Sequence, residues 1–161
     1  MLVQHPAQIH PLVPLPAEVL ALCDLYGREL HEVPTDAVIS AFVQGQRGVV
    51  GRRQLLAVGI SERAINCRLQ RRRLVPRFRG VYAPGHVHLT LHGHRTAVVL
   101  AVAGSILTHG SGTSLRGIGP DGGRWHVTVP GDGGRRSMQG IEVHTSTTLA
   151  PQDIEVFQGV P

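Results

Sequence analysis

The chain has 161 residues, room for one domain or two very small ones, with 42% hydrophobic residues, 17% charged residues and a formal net charge of +5. No apolar run approaches the roughly 18 residues of a membrane-spanning helix, and the N-terminal MLVQHPAQIHPLVPLP lacks the basic start and unbroken apolar stretch of a secretory signal. Two cysteines, Cys23 and Cys67, are too few for a disulfide framework, and the sixteen basic residues are all arginine, which excludes lysine Schiff bases, a phosphate-loop lysine and lysine-dependent nuclease sites.

These features read as a cytoplasmic globular protein. Residues 1–16 carry four prolines and are expected to form a disordered tail. AEVLALCDLYGRELHEV (17–33) suits a helix that buries Val19, Leu22, Cys23, Tyr26 and Leu30, although Gly27 and its length make it marginal alone. Residues 1–36 are therefore expected to be a disordered or marginally helical extension. Pro34 ends that helix and Thr35-Asp36 can cap the next, Ala37 to Gln46, in which Val38, Ile39, Phe42 and Val43 make one apolar stripe.

Charge then changes abruptly. Residues 1–46 hold one Arg and five acids, residues 80–161 balance five Arg with five acids, and residues 47–79 carry ten Arg against Glu62 alone. Positive charge this concentrated points to a polyanion. Within the stretch, Arg52–Val58 reads as a short helix with Leu55 and Leu56 inward, stopped by a left-handed Gly59 with Ile60 as its following apolar contact. Ser61 caps a second helix from Glu62 to about Arg73, with Glu62 near its positive end. Leu74–Ala83 reads as a small hairpin. Two short helices around a glycine turn followed by a hairpin describe a winged helix-turn-helix, placed at 37–85.

A recognition helix needs one face in the core and the other carrying groups that reach phosphates and base edges. Ala64, Ile65 and Leu69 supply the first, with Cys67 at its border; Arg63, Asn66 and Gln70 share the second. Arg pairs bidentately with guanine, and Asn or Gln with adenine. Arg71, Arg72 and Arg73 are placed for phosphates, as are Arg52 and Arg53 at the first helix start, with their backbone N–H groups. Arg77 and Arg79 flank Phe78 on one face of the wing strand. The expected DNA-binding set is Arg52, Arg53, Ser61, Arg63, Asn66, Gln70, Arg71, Arg72, Arg73, Arg77 and Arg79. Six to eight phosphate contacts would give a log–log salt slope of about −5 to −7. With only Phe78 and Tyr82 as aromatic platforms, the stretch favours double-stranded DNA over single-stranded RNA.

Residues 86–161 are expected to form a small α/β domain with an antiparallel hairpin, incomplete at its C-terminus. HGHRTAVVLAVAG (92–104) is helical, Ile106–Thr108 a short strand, and Ser111–Arg116 a short helix capped by Ser111 and stopped by Gly117. Trp125–Pro130 and Gly140–Thr145 alternate apolar and polar residues and read as a hairpin around GDGGRRSMQ, a mobile tip bearing Arg135 and Arg136. Ile154–Phe157 could add an edge strand. His86, His88, His92 and His94 offer enough imidazoles for zinc or nickel, but Thr90-Leu91 begins a helix between the pairs, so the reading is a polar linker with no metal and no cofactor. His109-Gly-Ser111 lacks the strand–nucleophile–helix elbow of a hydrolase. The acids after residue 80 are scattered, so no catalytic residues are assigned and the protein is read as not an enzyme.

GVVGRRQLLAVGISERAINCRLQRRRLVPRFRGVYAPGH resembles the N-terminal winged-helix domain of AbiEi-family antitoxins of type IV toxin–antitoxin systems, and LTLHGHRTAVVLAVAGSILTHGSGTSLRGIG and WHVTVPG…GIEVHTS are similar to the segment that follows. The similarity covers residues 37–161 and is most specific over 48–85; residues 1–36 have no counterpart in it. It implies an autorepressor that binds operator DNA and counteracts a nucleotidyltransferase toxin, and that an endonuclease-like domain found in many relatives lies beyond this chain. In place of a Thr cap common in the family stands Gly51. The alternatives are a protein-interaction module, for a toxin or for dimerisation, and the remnant of a DNA endonuclease without its catalytic domain.

Overall fold

The computed structural model describes residues 15–27, 30, 32–118, 123–131, 137, 138 and 140–161. Residues 1–14 of the tail expected at 1–16, and the loop tip with Arg135 and Arg136, lie outside them. The chain is α+β, with helices α1 (Ala17–Tyr26), α2 (Thr35–Gly45), α3 (Arg52–Ala57), α4 (Glu62–Gln70), α5 (Leu91–Ala101) and α6 (His109–Leu115). Strands β1 (Val50–Gly51), β2 (Leu74–Phe78) and β3 (Val81–Pro84) form one sheet in the order β1-β3-β2; β4 (Ile106–Leu107), β5 (Trp125–Pro130) and β6 (Ile141–Ser146) form another in the order β4-β5-β6. No helix among the described residues is long and apolar enough to cross a membrane.

The N-terminal segment is core, not appendage, from Leu15 onward. Leu15, Val19, Leu30 and Val33 are buried with Val38, Phe42, Leu55 and Ile65 in one cluster. The helix expected over 17–33 stops at Tyr26, because Gly27 takes a left-handed φ of +83°, and Tyr26 is left 55% exposed. In α2, Val38, Ile39 and Phe42 are buried as the stripe predicts, while the N-cap is Pro34 with no side-chain cap bond, so Thr35 and Asp36 are inside the helix.

Helix α3 turns differently from its expected pattern. Leu55 is fully buried, but Leu56 is 38% exposed and Gln54 faces inward. Gln54 Oε1 accepts from the Gly51 N–H at 2.9 Å and from Gln46 Nε2 at 3.0 Å, and Gln54 Nε2 donates back to Gln46 Oε1. A buried amide must be bonded on both sides to repay its desolvation. This reciprocal pair does that, and it holds the start of α3 where Gly51 has no side chain to cap with. At the other end, Gly59 (φ +89°) donates to Leu56 O and Ile60 to Leu55 O, the paired bonds of a Schellman stop.

Helix α5 begins with the Thr90 Oγ1 cap on the Gly93 N–H and lies against both sheets. Ala97 joins Val49 and, from the first sheet, Val81 and Ala83, whereas Val98, Val99 and Val102 pack with Leu107, Val127, Val129 and Ile141 of the second. The expected boundary at 85/86 is thus spanned by a helix common to both sides. In the second sheet, β4 is antiparallel to β5 but β5 and β6 are parallel, in phase from Trp125↔Ile141 to Pro130↔Ser146. The expected antiparallel hairpin is therefore replaced by a crossover. Period-two alternation fixes which residues face the core and carries no information on strand direction. The segment 154–157 is not a strand; Phe157 and Val160 make an isolated bridge after a single 3₁₀ turn.

Candidate nucleic-acid interface

Helix α4 is positioned from both ends. Ser61 Oγ accepts from the Ala64 N–H at 3.2 Å, the expected cap. Ile65 is fully buried with Ala64 and Leu69 packed behind it, which leaves Arg63, Asn66 and Gln70 exposed on the outer face. The helix ends at Gln70 rather than Arg73, because Arg72 adopts φ +53° and closes a second Schellman stop, with Arg72 N–H to Leu69 O and Arg73 N–H to Arg68 O. The hairpin follows at once. Its turn is Arg79-Gly80, with a bulge between Pro76 and Phe78.

Of the eleven residues singled out from the sequence, all but Arg52 are exposed. They are not equally available. Arg52 is half-buried: its Nη2 pairs with Glu62 Oε1 at 2.8 Å, its Nη1 donates to the Tyr82 hydroxyl, and its backbone N–H donates to Gly80 O. The Tyr82 hydroxyl first, and then Glu62, hold its guanidinium above the ordinary arginine value. The Arg52 N–H is thus bonded within the protein rather than free for a phosphate, and its guanidinium is engaged by Glu62 and Tyr82. Arg73 pairs with Asp36 Oδ2 at 3.4 Å. Arg77 donates to the Val87 carbonyl at 3.0 Å, and Arg79 sits in the turn, so the two do not share a strand face as expected.

The guanidinium groups of Arg53, Arg63, Arg71, Arg72 and Arg79, and the side-chain amides of Asn66 and Gln70, have no hydrogen-bond or ion-pair partner among the described residues. Arg53 and Arg79 line, with Arg52, Gly80 and Tyr82, a cavity of about 560 Å³ between the start of α3 and the hairpin turn. The sequence reading passed over Arg68, which bonds Asp36 Oδ1 at 2.7 Å and the Ala64 carbonyl at 3.1 Å. The Arg68 hydrogen bond, aided by the charges of Arg68 and Arg73, holds the Asp36 carboxyl below its usual range. This clamp ties α2 to α4.

In the C-terminal half, Ser111 is not a cap. Its Oγ accepts from the His126 N–H at 2.9 Å, and α6 starts two residues earlier, after Thr108. The connector imidazoles form no close-set metal-ligating group among the described residues; His92 instead meets the Gln158 carbonyl at 3.2 Å, and burial pushes its pKa down. The group that does form is His126, Glu142 and His144. No protein-family model matches the chain, and no curated protein matches it.

Proposed function

We propose that the protein is a sequence-specific double-stranded DNA-binding regulator. In this reading α2–β1–α3–α4–β2–β3 is a winged helix, α4 enters the major groove and the β2–β3 turn lies along the backbone. The observation that carries the reading is the outer face of α4, where Arg63, Asn66 and Gln70 stand exposed while Ile65 on the opposite face is fully buried. Arg63, Asn66 and Gln70 read bases. Arg53, Arg71, Arg72 and Arg79 hold phosphates; the cleft between Arg53 and Arg79 has room for one. The resemblance to AbiEi-family antitoxins adds that the regulated operon encodes a nucleotidyltransferase toxin, which the C-terminal half would bind.

Selection of bound duplexes from a random pool, followed by fluorescence anisotropy on the selected site and a scrambled duplex, tests this. With four arginines on phosphates, the log–log salt slope is expected at about −3 to −4. Arg63→Ala with Asn66→Ala should remove the preference for the selected site by more than it lowers affinity for the scrambled one. Arg71→Ala should weaken both alike. Equal loss on both duplexes for the α4 double variant sinks the base-reading role, and no salt-dependent binding at all sinks the function.

A further inference from the structure

The in-phase pairing of β5 and β6 sets His126 beside Glu142 and Thr128 beside His144, on the face opposite the Val127, Val129, Ile141 and Val143 side chains of the core. One ligand atom from each of His126, Glu142 and His144 lies within 4.8 Å of the other two, and all three residues are half-buried. His126 Nδ1 and His144 Nε2 are 3.2 Å apart. The nitrogen–nitrogen edge of a tetrahedron with metal–imidazole bonds of roughly 2.0–2.1 Å is about 3.3 Å. A bond between the two rings engages one proton and one lone pair, whereas a shared cation engages a lone pair from each. Glu142 adds the anionic charge, and its ion pair with exposed Arg124, at 3.6 Å, is a weak competitor.

The surroundings are also fixed. The His126 N–H is held by Ser111 Oγ, and the His109 ring, 4.6 Å from that of His144, has its Nδ1 3.1 Å from Thr108 Oγ1, itself 2.9 Å from Thr128 Oγ1. The first of these bonds fixes the β5 backbone at His126, and the others hold His109 and the end of β4 beside it. His109 takes a left-handed φ of +51° to stand there. We infer that His126, Glu142 and His144 bind a divalent transition-metal ion of the zinc class through two imidazole nitrogens and one carboxylate oxygen. Two nitrogen donors in three disfavour calcium and magnesium, which take oxygen. The site is independent of the DNA-binding reading, whose residues lie on the other sheet and its helices.

Calorimetric titration of the EDTA-stripped full chain with ZnCl₂ tests it, alongside thermal melting with and without the metal. One saturable equivalent per chain and a zinc-dependent rise in melting temperature are expected. His144→Ala and the near-isosteric Glu142→Gln should each weaken uptake about tenfold or more, with His88→Ala unchanged. Glu142→Gln replaces one half-buried oxygen by nitrogen at unchanged volume, and circular dichroism verifies that the variant folds. Absence of saturable uptake overturns the site, as does uptake that both His144→Ala and Glu142→Gln retain or that His88→Ala removes.

Discussion

Arg72 holds a backbone conformation that costs an L-residue roughly 1–2 kcal/mol and costs glycine almost nothing. The neighbouring α3 ends on the same hydrogen-bond pattern with Gly59, so the chain uses the cheap residue at one helix and the strained, charged one at the other. A local rule broken at an exposed cation is what a binding role would maintain. Arg72→Gly is therefore expected to raise stability in urea by about 0.5–1 kcal/mol, the relief being partly offset by the freer unfolded chain, while lowering duplex affinity. A gain in both, or in neither, would show that the arginine is not held there for its charge. The amide pair Gln46–Gln54 is the residue-scale counterpart in the core. It satisfies the α3 start from inside, and no hydrophobic pattern could reveal it, because a glutamine on a short helix reads as solvent-facing.

At the scale of elements, α2 is braced to α4 by Asp36 acting on Arg68 and Arg73. The Asp36 carboxyl titrates below its unfolded value, so its contribution is present above the ordinary carboxylate range and is lost as pH falls through the lowered folded value. In a pH series of melting temperatures, Asp36→Asn should melt below the parent at neutral pH, and the gap should close in acid. A gap that persists unchanged at low pH rules out the ionic brace. The same variant releases two arginines and should strengthen duplex binding. The elements that build this face were legible in the sequence because their signals are local: Ser61 before an apolar-periodic run, Gly59 with Ile60 after one, and Gly80 between two short apolar stretches. What escaped is non-local. The direction of β6, the burial of Gln54 and the turning-out of Leu56 depend on partners elsewhere in the chain. So does the convergence of His126, Glu142 and His144, drawn together by strand register, while the imidazoles crowded in sequence at 86–94 form no such group among the described residues.

On the scale of the whole molecule, α5 decides how the parts behave together. A methyl group on Gly93 would come within 2.5 Å of the Arg47 carbonyl, so the helix seats against the end of α2 through a bare glycine. Gly93→Ala should cost about 1–3 kcal/mol of stability. Trp125, the single tryptophan, reports on the second sheet, and far-ultraviolet dichroism on the helices of both halves. With α5 packed against both sheets, the two unfolding curves should coincide and shift together; a fluorescence curve left in place would mean that the halves unfold separately.

The two-sided packing of α5 also bears on how such a chain could change over time. A recombination event that carried off only the arginine-bearing half would take with it the apolar floor formed by Val49, Val81 and Ala83, with nothing to cover it. Shuffled descendants that keep residues 37–85 must therefore inherit that helix, or acquire another with small residues at the matching height.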